Sequence, residues 1–171
     1  MNGHETPSKQ ALRPSASELR ALQVVQTALM GGVIIFGLVV VLLAMRPPAA
    51  GAAAIPQRVL VLLSAVHAVI ALGIWALAPI VQGLLLARLR AQAGPNAALI
   101  AGALRSALIL RLALLEGPAL FGLVICLLAA TSGALRATPL YWLNALSALA
   151  FLAYGVLRFP TMERLEALPD R

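Results

Sequence analysis

Long apolar runs separated by short polar segments dominate the pattern along the chain. A helix needs about 20 apolar residues to cross the hydrocarbon core of a bilayer, and four runs approach or exceed that length. They cover residues 20–45, 59–86, 106–130 and 140–157. The sequence therefore predicts an all-α fold, a bundle of four transmembrane helices within residues 16–158.

Helix start and stop signals bound the first run. Ser15-Ala-Ser-Glu18 has the capping-box form, in which Ser and Glu side chains satisfy backbone N–H groups at a helix start. The 25 residues between Arg20 and Arg46 are uncharged, and Pro47-Pro48 ends the helix. A cleaved signal peptide is the alternative, because Ala50-Gly51-Ala52 resembles a cleavage site. The run greatly exceeds the roughly 7–15 residues of a signal core, which favours an uncleaved anchor.

The polar segments predict two tails and a central hinge. Residues 1–15 are polar without a period and predict a disordered tail, and residues 159–171 predict a second, shorter tail. Residues 87–104 predict a polar hinge that turns at Gly94-Pro95-Asn96. The second run is longer than a straight crossing requires, and Pro79 near its end predicts a tilt or a kink.

The basic residues predict how the helices are oriented. Cytoplasmic loops of membrane proteins carry an excess of Lys and Arg. Nine basic residues fall on the side of the two tails and the central hinge: Lys9, Arg13, Arg20, Arg88, Arg90, Arg105, Arg158, Arg164 and Arg171. Three fall on the other side: Arg46, Arg58 and Arg136. We therefore expect both termini in the cytoplasm and place the chain in the inner membrane of a bacterium.

Composition agrees with lipid as the solvent. Hydrophobic residues make up 61% of the chain and charged residues 11%, against about 25% charged in soluble domains. The net charge of +7 is spread over loops and tails and forms no basic block, which argues against nucleic-acid binding. The partners we expect are the lipid bilayer and either further copies of the chain or another subunit of a membrane complex.

The inventory of reactive residues argues against catalysis. Cys126 is the only cysteine and lies in an apolar run, where a lone thiol is usually inert packing. Two histidines, at positions 4 and 67, cannot supply a metal site with it. Nucleotide-binding glycine motifs and nucleophile-elbow motifs are missing from the sequence. The sequence therefore predicts a protein that is not an enzyme and has neither cofactor nor metal.

The first and third runs resemble each other at an offset of 85 residues. Nine of the sixteen positions in residues 29–44 are identical to those in residues 114–129. The identities include Gly32 with Gly117 and the Phe-Gly-Leu-Val segments that contain Gly37 and Gly122. This pattern predicts two helical hairpins related as a parallel repeat. Glycines let helices approach closely, so helix packing is predicted at Gly31, Gly32, Gly37 and Gly122.

The two copies differ at one chemically important place. Where the first has Gly31-Gly32-Val33, the second has Glu116-Gly117-Pro118. Glu116 lies about 15 Å into its run, near the middle of a core roughly 30 Å thick. A charge there costs on the order of 3 kcal/mol, so we expect a neutral or paired carboxyl group that faces the bundle interior. Gly117 and Pro118 break the helix beside it, because Pro118 cannot donate to the carbonyl of Leu114.

Two residues are candidate partners of Glu116 in an ion or proton site. Arg111 precedes it by five positions, about 140° around the helix, so a local pair needs a distorted turn. Its side chain can extend to the cytoplasmic surface instead. His67 is about 13 Å deep in the second run and is the favoured neighbour. A hydrogen-bonded core histidine is the alternative role for His67. Four polar residues near the ends of the runs predict interfacial or interhelix hydrogen bonds: Gln23, Gln26, Gln82 and Asn144.

Residues 104–129 carry a family resemblance. Their sequence is LRSALILRLALLEGPALFGLVICLLA, with Glu116 in the middle, a proline two positions later and a Gly-Leu-Val-Ile segment. It resembles the carboxylate-bearing helix of rotary ATP synthase proteolipids, and the duplication is similar to the four-span vacuolar-type proteolipid. The resemblance implies that Glu116 would be the ion-carrying carboxylate.

Two functions remain open from the sequence. One is a structural or accessory subunit of a membrane complex, in which Glu116 makes a structural hydrogen bond. The other is a proton- or cation-handling protein in which Glu116 changes its protonation state.

Overall fold

A computed structural model describes residues 16–47, 55–93 and 97–161 of the chain. In these ranges all regular structure is helical, with five α-helices and one 3-10 helix. In chain order they are α1 (Ala16–Met45), α2 (Gln57–Ala93), α3 (Ala97–Thr131), α4 (Ala134–Ala137), the 3-10 helix (Pro139–Ala145) and α5 (Leu146–Leu157).

Four helical segments are long and apolar enough to cross a membrane. They are Leu19–Met45, Gln57–Leu89, Arg105–Thr131 and Pro139–Leu157. The last segment consists of the 3-10 helix followed by α5, and we call it the fourth span. It begins with a proline. Proline lacks the backbone N–H, but the first N–H groups of a helix have no partner within it anyway. The predicted all-α bundle of four apolar spans is confirmed, because each segment overlaps one predicted run almost completely.

Helix α3 is the centre of the bundle. Helices α1 and α2 and the fourth span all pack on α3, whereas α1 and α2 pack little on each other. Half of the apolar window of α3 is buried inside the bundle, against 11% for α1 and 11% for α2. One side of α3 is therefore left uncovered between α1 and α2. Ala113 and Gly117 lie on that side and are exposed.

The buried side chains form two apolar clusters along α3. The larger one comprises Val33, Val40, Ala78, Leu112, Leu115, Ala119, Leu123, Cys126, Ala148 and Phe151. A smaller one near the start of α2 comprises Leu60, Ala129, Ala130, Leu135 and Tyr141. Lipid chains are as apolar as these residues, so close packing and polar contacts, and not the hydrophobic effect, hold such helices together.

Side chains from one span satisfy backbone carbonyls at the end of another. Gln26 Nε2 donates to the carbonyl of Gly155 at 2.6 Å, and Gln23 Nε2 donates to the carbonyl of Pro160 at 3.1 Å. The last carbonyls of a helix have no partner within it, so the bond to Gly155 completes the end of the fourth span. The bond to Pro160 holds the segment that follows this span. The interhelix alternative is confirmed for Gln26, whereas Gln23 bonds a residue beyond the end of α5.

Arg136 binds the last backbone carbonyls of α1 at the opposite end of the bundle. Its Nε donates to the carbonyl of Ala44 at 3.3 Å, and one terminal nitrogen donates to the carbonyl of Met45 at 2.8 Å. A cation at the last carbonyls of a helix also complements the helix dipole. The short connection between α3 and the fourth span is thereby fixed to the end of α1.

The helices extend further than the sequence predicted. Helix α2 runs to Ala93 and α3 begins at Ala97, so most of the predicted polar hinge 87–104 is helical. The predicted turn, Gly94-Pro95-Asn96, lies outside the described residues, as do the tail 1–15 and residues 162–171 of the second tail. Ala, Leu and Arg are strong helix formers, which explains why the charged ends of α2 and α3 stay helical. Helix α2 is continuous through Pro79.

The predicted glycine contacts are only partly present. A Cβ atom placed on Gly31 or Gly32 would meet no atom of the described chain within 4 Å, so neither glycine packs against another helix here. A Cβ on Gly37 would make ordinary contact with Leu123, 3.9 Å away. A Cβ on Gly122 would overlap its neighbours. The first pair faces outward because α1 contacts α3 through Val33 and Val40 instead.

The packing gives the predicted repeat no support. Helix α3 packs closely on the fourth span, whereas its counterpart α1 packs little on α2. Helix α3 is central and α1 is peripheral. The duplication stays a prediction from the sequence.

Candidate functional site

A buried polar cluster occupies the junction of α2, α3 and the fourth span. His67 of α2 is 4% exposed, Asn144 of the 3-10 helix 6% and Ser147 of α5 8%. Ser64, one turn before His67, and the carbonyl of Pro118 complete the set. We call these five residues the His67 network.

Every member of the network has a polar atom within 3.0–3.1 Å of another member. His67 Nδ1 lies 3.1 Å from Asn144 Oδ1. His67 Nε2 lies 3.1 Å from the Pro118 carbonyl oxygen and 3.0 Å from Ser147 Oγ. Ser147 Oγ is also 3.0 Å from the Pro118 carbonyl oxygen and 3.0 Å from the Asn144 carbonyl oxygen. Buried polar groups in lipid need such partners, and the network supplies them without a charged residue.

The network determines which ring nitrogen of His67 carries the proton. The amide nitrogen of Asn144 donates to Ser64 Oγ and to the Tyr141 carbonyl oxygen, both at 3.0 Å. This leaves Asn144 Oδ1 as an acceptor, so His67 Nδ1 must be the donor. In the neutral ring Nε2 then accepts from the Ser147 hydroxyl group, and the Pro118 carbonyl oxygen, itself an acceptor, receives a proton from neither residue.

The same geometry accommodates a second proton on His67. A proton on Nε2 would find two acceptors, the Pro118 carbonyl oxygen and Ser147 Oγ. The Ser147 hydroxyl group can then donate to the Asn144 carbonyl oxygen instead. Rotation of one hydroxyl group therefore provides hydrogen-bond acceptors for both ring nitrogens.

Gly122 allows the network to form. A Cβ atom at this position would overlap the Asn144 carbonyl oxygen and would lie 2.7 Å from Ser147 Oγ and 2.9 Å from His67 Nε2. The α3 backbone thus approaches the 3-10 helix more closely than any side chain permits. Phe121 also packs against His67: the two rings meet edge to face at a centroid distance of 5.7 Å.

The network lies near the middle of the third and fourth spans. Pro118 is the middle residue of Arg105–Thr131, and Ser147 is next to the middle residue of Pro139–Leu157. With a rise of about 1.5 Å per residue, both lie within a few ångströms of the span centres. The depth predicted for His67 agrees with this position.

Glu116 lies on a different side of α3 and does not join the network. Its side chain is half-buried, beside the exposed residues Ala113 and Gly117. Within residues 16–47, 55–93 and 97–161, no hydrogen bond or ion pair to Glu116 is found. His67 instead contacts the carbonyl of Pro118, two positions later. Two positions are about 200° around a helix, so the side of α3 that faces His67 is opposite Glu116.

Arg111 is held between α2 and α5. One terminal nitrogen donates to Gln82 Oε1 at 2.7 Å, and the guanidinium carbon lies 4.9 Å from the centroid of the Tyr154 ring. A cation over an aromatic face is favourable, more so where water is excluded. The Nε atom is buried and has no partner in the described part of the chain. The structure therefore shows no pair with Glu116, and it confirms the interhelix bond predicted for Gln82.

The lone thiol is part of the packing. Cys126 is buried and free, and its Sγ atom donates weakly to the Tyr141 carbonyl oxygen at 3.3 Å. Among the residues that the structure describes, no group of three or more His, Cys, Asp or Glu side chains could hold a metal ion.

Ser147 and the carbonyl of Pro118 were not identified from the sequence. The available signal was the spacing of Asn144 and Ser147, which places two polar side chains one turn apart within the fourth apolar run. A backbone carbonyl leaves no signature in the sequence.

The fold and site together define the class of protein. The chain is a helical bundle with four segments long and apolar enough to cross a membrane, and a buried polar network joins three of them. Comparison with protein-family models, with curated proteins and with solved structures finds no match. The function must therefore be inferred from the site itself.

Proposed function

We propose that this chain is a non-enzymatic subunit of a membrane complex, in which the uncovered side of α3 binds a transmembrane helix of another protein. The observation that carries the proposal is the position of Glu116. It lies two residues from the middle of its span and is half-buried, and the described chain gives it no partner.

Such a carboxyl group is costly in contact with lipid. Ionised residues at the bilayer centre cost about 2.5–3.5 kcal/mol even on the most permissive scale, and they normally face a bundle interior. A partner helix that donates a hydrogen bond to Glu116 removes this cost.

The surface around Glu116 suits close approach of a helix. Ala113 and Gly117 are exposed, and a Cβ atom on Gly117 would meet nothing within 4 Å in the described chain. Small residues four positions apart allow helix backbones to approach and gain packing contacts in lipid. We call the surface formed by Ala113, Glu116 and Gly117 the Glu116 face.

Site-specific cross-linking tests this proposal. A photoreactive residue at position 113 should cross-link in native membranes to a transmembrane peptide of a second protein. The same residue at position 153, which is exposed on α5, is the matched control. Glu116→Leu should abolish the cross-link, whereas Glu116→Gln, which still forms hydrogen bonds, should retain most of it. Cross-links only to further copies of this chain, or none at position 113, would overturn the proposal.

A second candidate function, proton or cation handling, is favoured by one observation on the network. His67 has acceptors at both ring nitrogens and can hold an additional proton. The proteolipid resemblance adds Glu116 as a carboxyl group that is free to titrate. On this hypothesis Glu116→Gln leaves the bundle folded but abolishes its labelling by dicyclohexylcarbodiimide and any pH-dependent transport by reconstituted vesicles.

We further propose a bacterial inner-membrane location with both termini in the cytoplasm, supported by the nine-to-three distribution of basic residues. Reporter fusions at the N-terminal tail, at Pro95 and at the C-terminal tail should report cytoplasm. A fusion at Gly51 should report the periplasm. A periplasmic signal from Pro95 would contradict this orientation.

A further inference from the structure

An apolar groove runs between α2 and the fourth span. Its volume is about 660 Å³, within the range of about 300–1,000 Å³ that is typical of small-molecule sites. The walls are largely exposed apolar side chains, including Val61, Leu72, Leu143 and Leu146. The floor is formed by four members of the His67 network: Ser64, His67, Asn144 and Ser147. The groove is separate from the Glu116 face, which lies on the uncovered side of α3.

The depth of the groove limits what can occupy it. Its floor contains Ser147, next to the middle residue of the fourth span. Headgroups and ester groups of phospholipids lie about 15 Å from the bilayer centre, at the edge of the hydrocarbon core. Asn144, which bonds Ser64, lies four residues from that middle residue, about 6–8 Å at a rise of about 1.5–2 Å per residue. The polar atoms of the floor therefore lie inside the hydrocarbon core, where an uncharged ligand is favoured over a charged one.

One polar atom of the floor has unused bonding capacity. Ser64 is half-buried, lines the groove and accepts a hydrogen bond from Asn144 Nδ2 at 3.0 Å. Ser64 donates no hydrogen bond to any residue in the described part of the chain. His67, Asn144 and Ser147 are by contrast engaged with one another. A hydroxyl donor without an acceptor in an apolar groove favours a ligand that carries an acceptor and no charge.

We propose that this groove binds an uncharged, lipid-soluble carbonyl compound whose carbonyl oxygen accepts a hydrogen bond from Ser64. The ligand enters sideways from the bilayer, and its apolar part contacts the leucine and valine walls. This site goes beyond the proposed subunit role, and it is independent of the Glu116 face.

Fluorescence quenching by a short-tailed benzoquinone, decylubiquinone, tests the proposal. Trp75 lines the groove, so purified protein with the background substitution Trp142→Phe reports from this site alone. We expect saturable quenching on top of the linear quenching that partitioning into micelles produces. Ala68→Phe, which fills the groove, should remove the saturable part. Ala76→Phe, an exposed alanine of α2 outside the groove, should leave it unchanged.

A matched competitor tests the hydrogen bond. Decylbenzene has the same tail but no carbonyl group, and it should compete about fivefold less well than the quinone, the effect of one net hydrogen bond. In Ser64→Ala the quinone should bind about fivefold more weakly, and the difference between the two compounds should vanish.

Two results would overturn the proposal. One is quenching that never saturates, or that saturates equally in a folded Ala68→Phe protein. If Ala68→Phe fails to fold, Ala150→Phe fills the groove from the opposite wall and decides the same question. The other is equal competition by the two compounds in the unsubstituted chain. Glu116→Leu should leave quinone binding unchanged, so failure of the subunit proposal and failure of this one give different results.

Discussion

Replacing Gly122 by alanine places a methyl group where three polar atoms already converge. The added Cβ would overlap the carbonyl oxygen of Asn144 and would approach Ser147 Oγ to 2.7 Å and His67 Nε2 to 2.9 Å. Two of these atoms belong to side chains that can rotate, but the carbonyl belongs to the backbone of the 3-10 helix. The fourth span must therefore move away from α3, or the network must break.

The size of the effect follows from three contributions. Overpacking of a well-filled interior costs about 1–3 kcal/mol. Weakening two hydrogen bonds within a membrane protein adds about 0.6 kcal/mol each. Alanine gains about 1 kcal/mol over glycine in a helix interior. We therefore expect Gly122→Ala to lower the free energy of unfolding by about 1–3 kcal/mol.

Gly117→Ala is the matched control on the same helix. A Cβ there would meet nothing within 4 Å in the described chain, so the gain in helix propensity should raise stability by up to about 1 kcal/mol. Both variants can be unfolded reversibly in mixed micelles by raising the fraction of sodium dodecyl sulfate, with far-ultraviolet circular dichroism as the signal. Equal stability of the two variants would refute the close approach of α3 to the 3-10 helix.

Three further substitutions test the polar contacts in the same assay. His67→Ala leaves Asn144 Oδ1 and Ser147 Oγ without their partner and should lower the free energy of unfolding by about 1–3 kcal/mol, so an unchanged value would contradict the network. Gln26→Leu removes the bond to the Gly155 carbonyl and should cost about 1 kcal/mol, and a stabilised variant would show that this bond contributes nothing. Arg136→Ala removes a cation from the end of α1 and should cost about 0.3–1 kcal/mol, with a loss that shrinks at high salt; a loss insensitive to salt would exclude the electrostatic cause.

The four spans were predictable because length and apolarity alone are enough to identify them. Each run lacks charges over the thickness of a bilayer core, apart from Arg111 and Glu116 in the third. The 3-10 start of the fourth span was not predicted, because a proline at a helix start is equally compatible with an α-helix. The ends of α2 and α3 were missed because polar residues in a hinge do not by themselves break a helix.

Of the candidate site, only the depth of its residues along the spans was predictable from the sequence. Counting residues from the span ends, at a fixed rise per residue, correctly placed His67 near the level of Pro118 and Glu116. The depth of a residue does not tell which side of its helix faces a neighbouring helix. That choice depends on the rotation of α3, which is set by packing against three helices at once. The contact with Pro118 required Gly122 to bring the backbones together, and the sequence alone does not show which glycine has that role.

The bonds between the first and fourth spans have a consequence for biosynthesis. Gln26 lies in the first of the four spans, and its acceptor, the Gly155 carbonyl, is 129 residues later in the chain. Until the fourth span enters the bilayer, the amide group of Gln26 lacks its native acceptor, and so does the amide group of Gln23. We therefore expect helix α1 to stay beside the insertion machinery until the fourth span is made. A nascent chain arrested before residue 139 should remain cross-linkable to the insertion machinery through α1, and the full-length chain should be released.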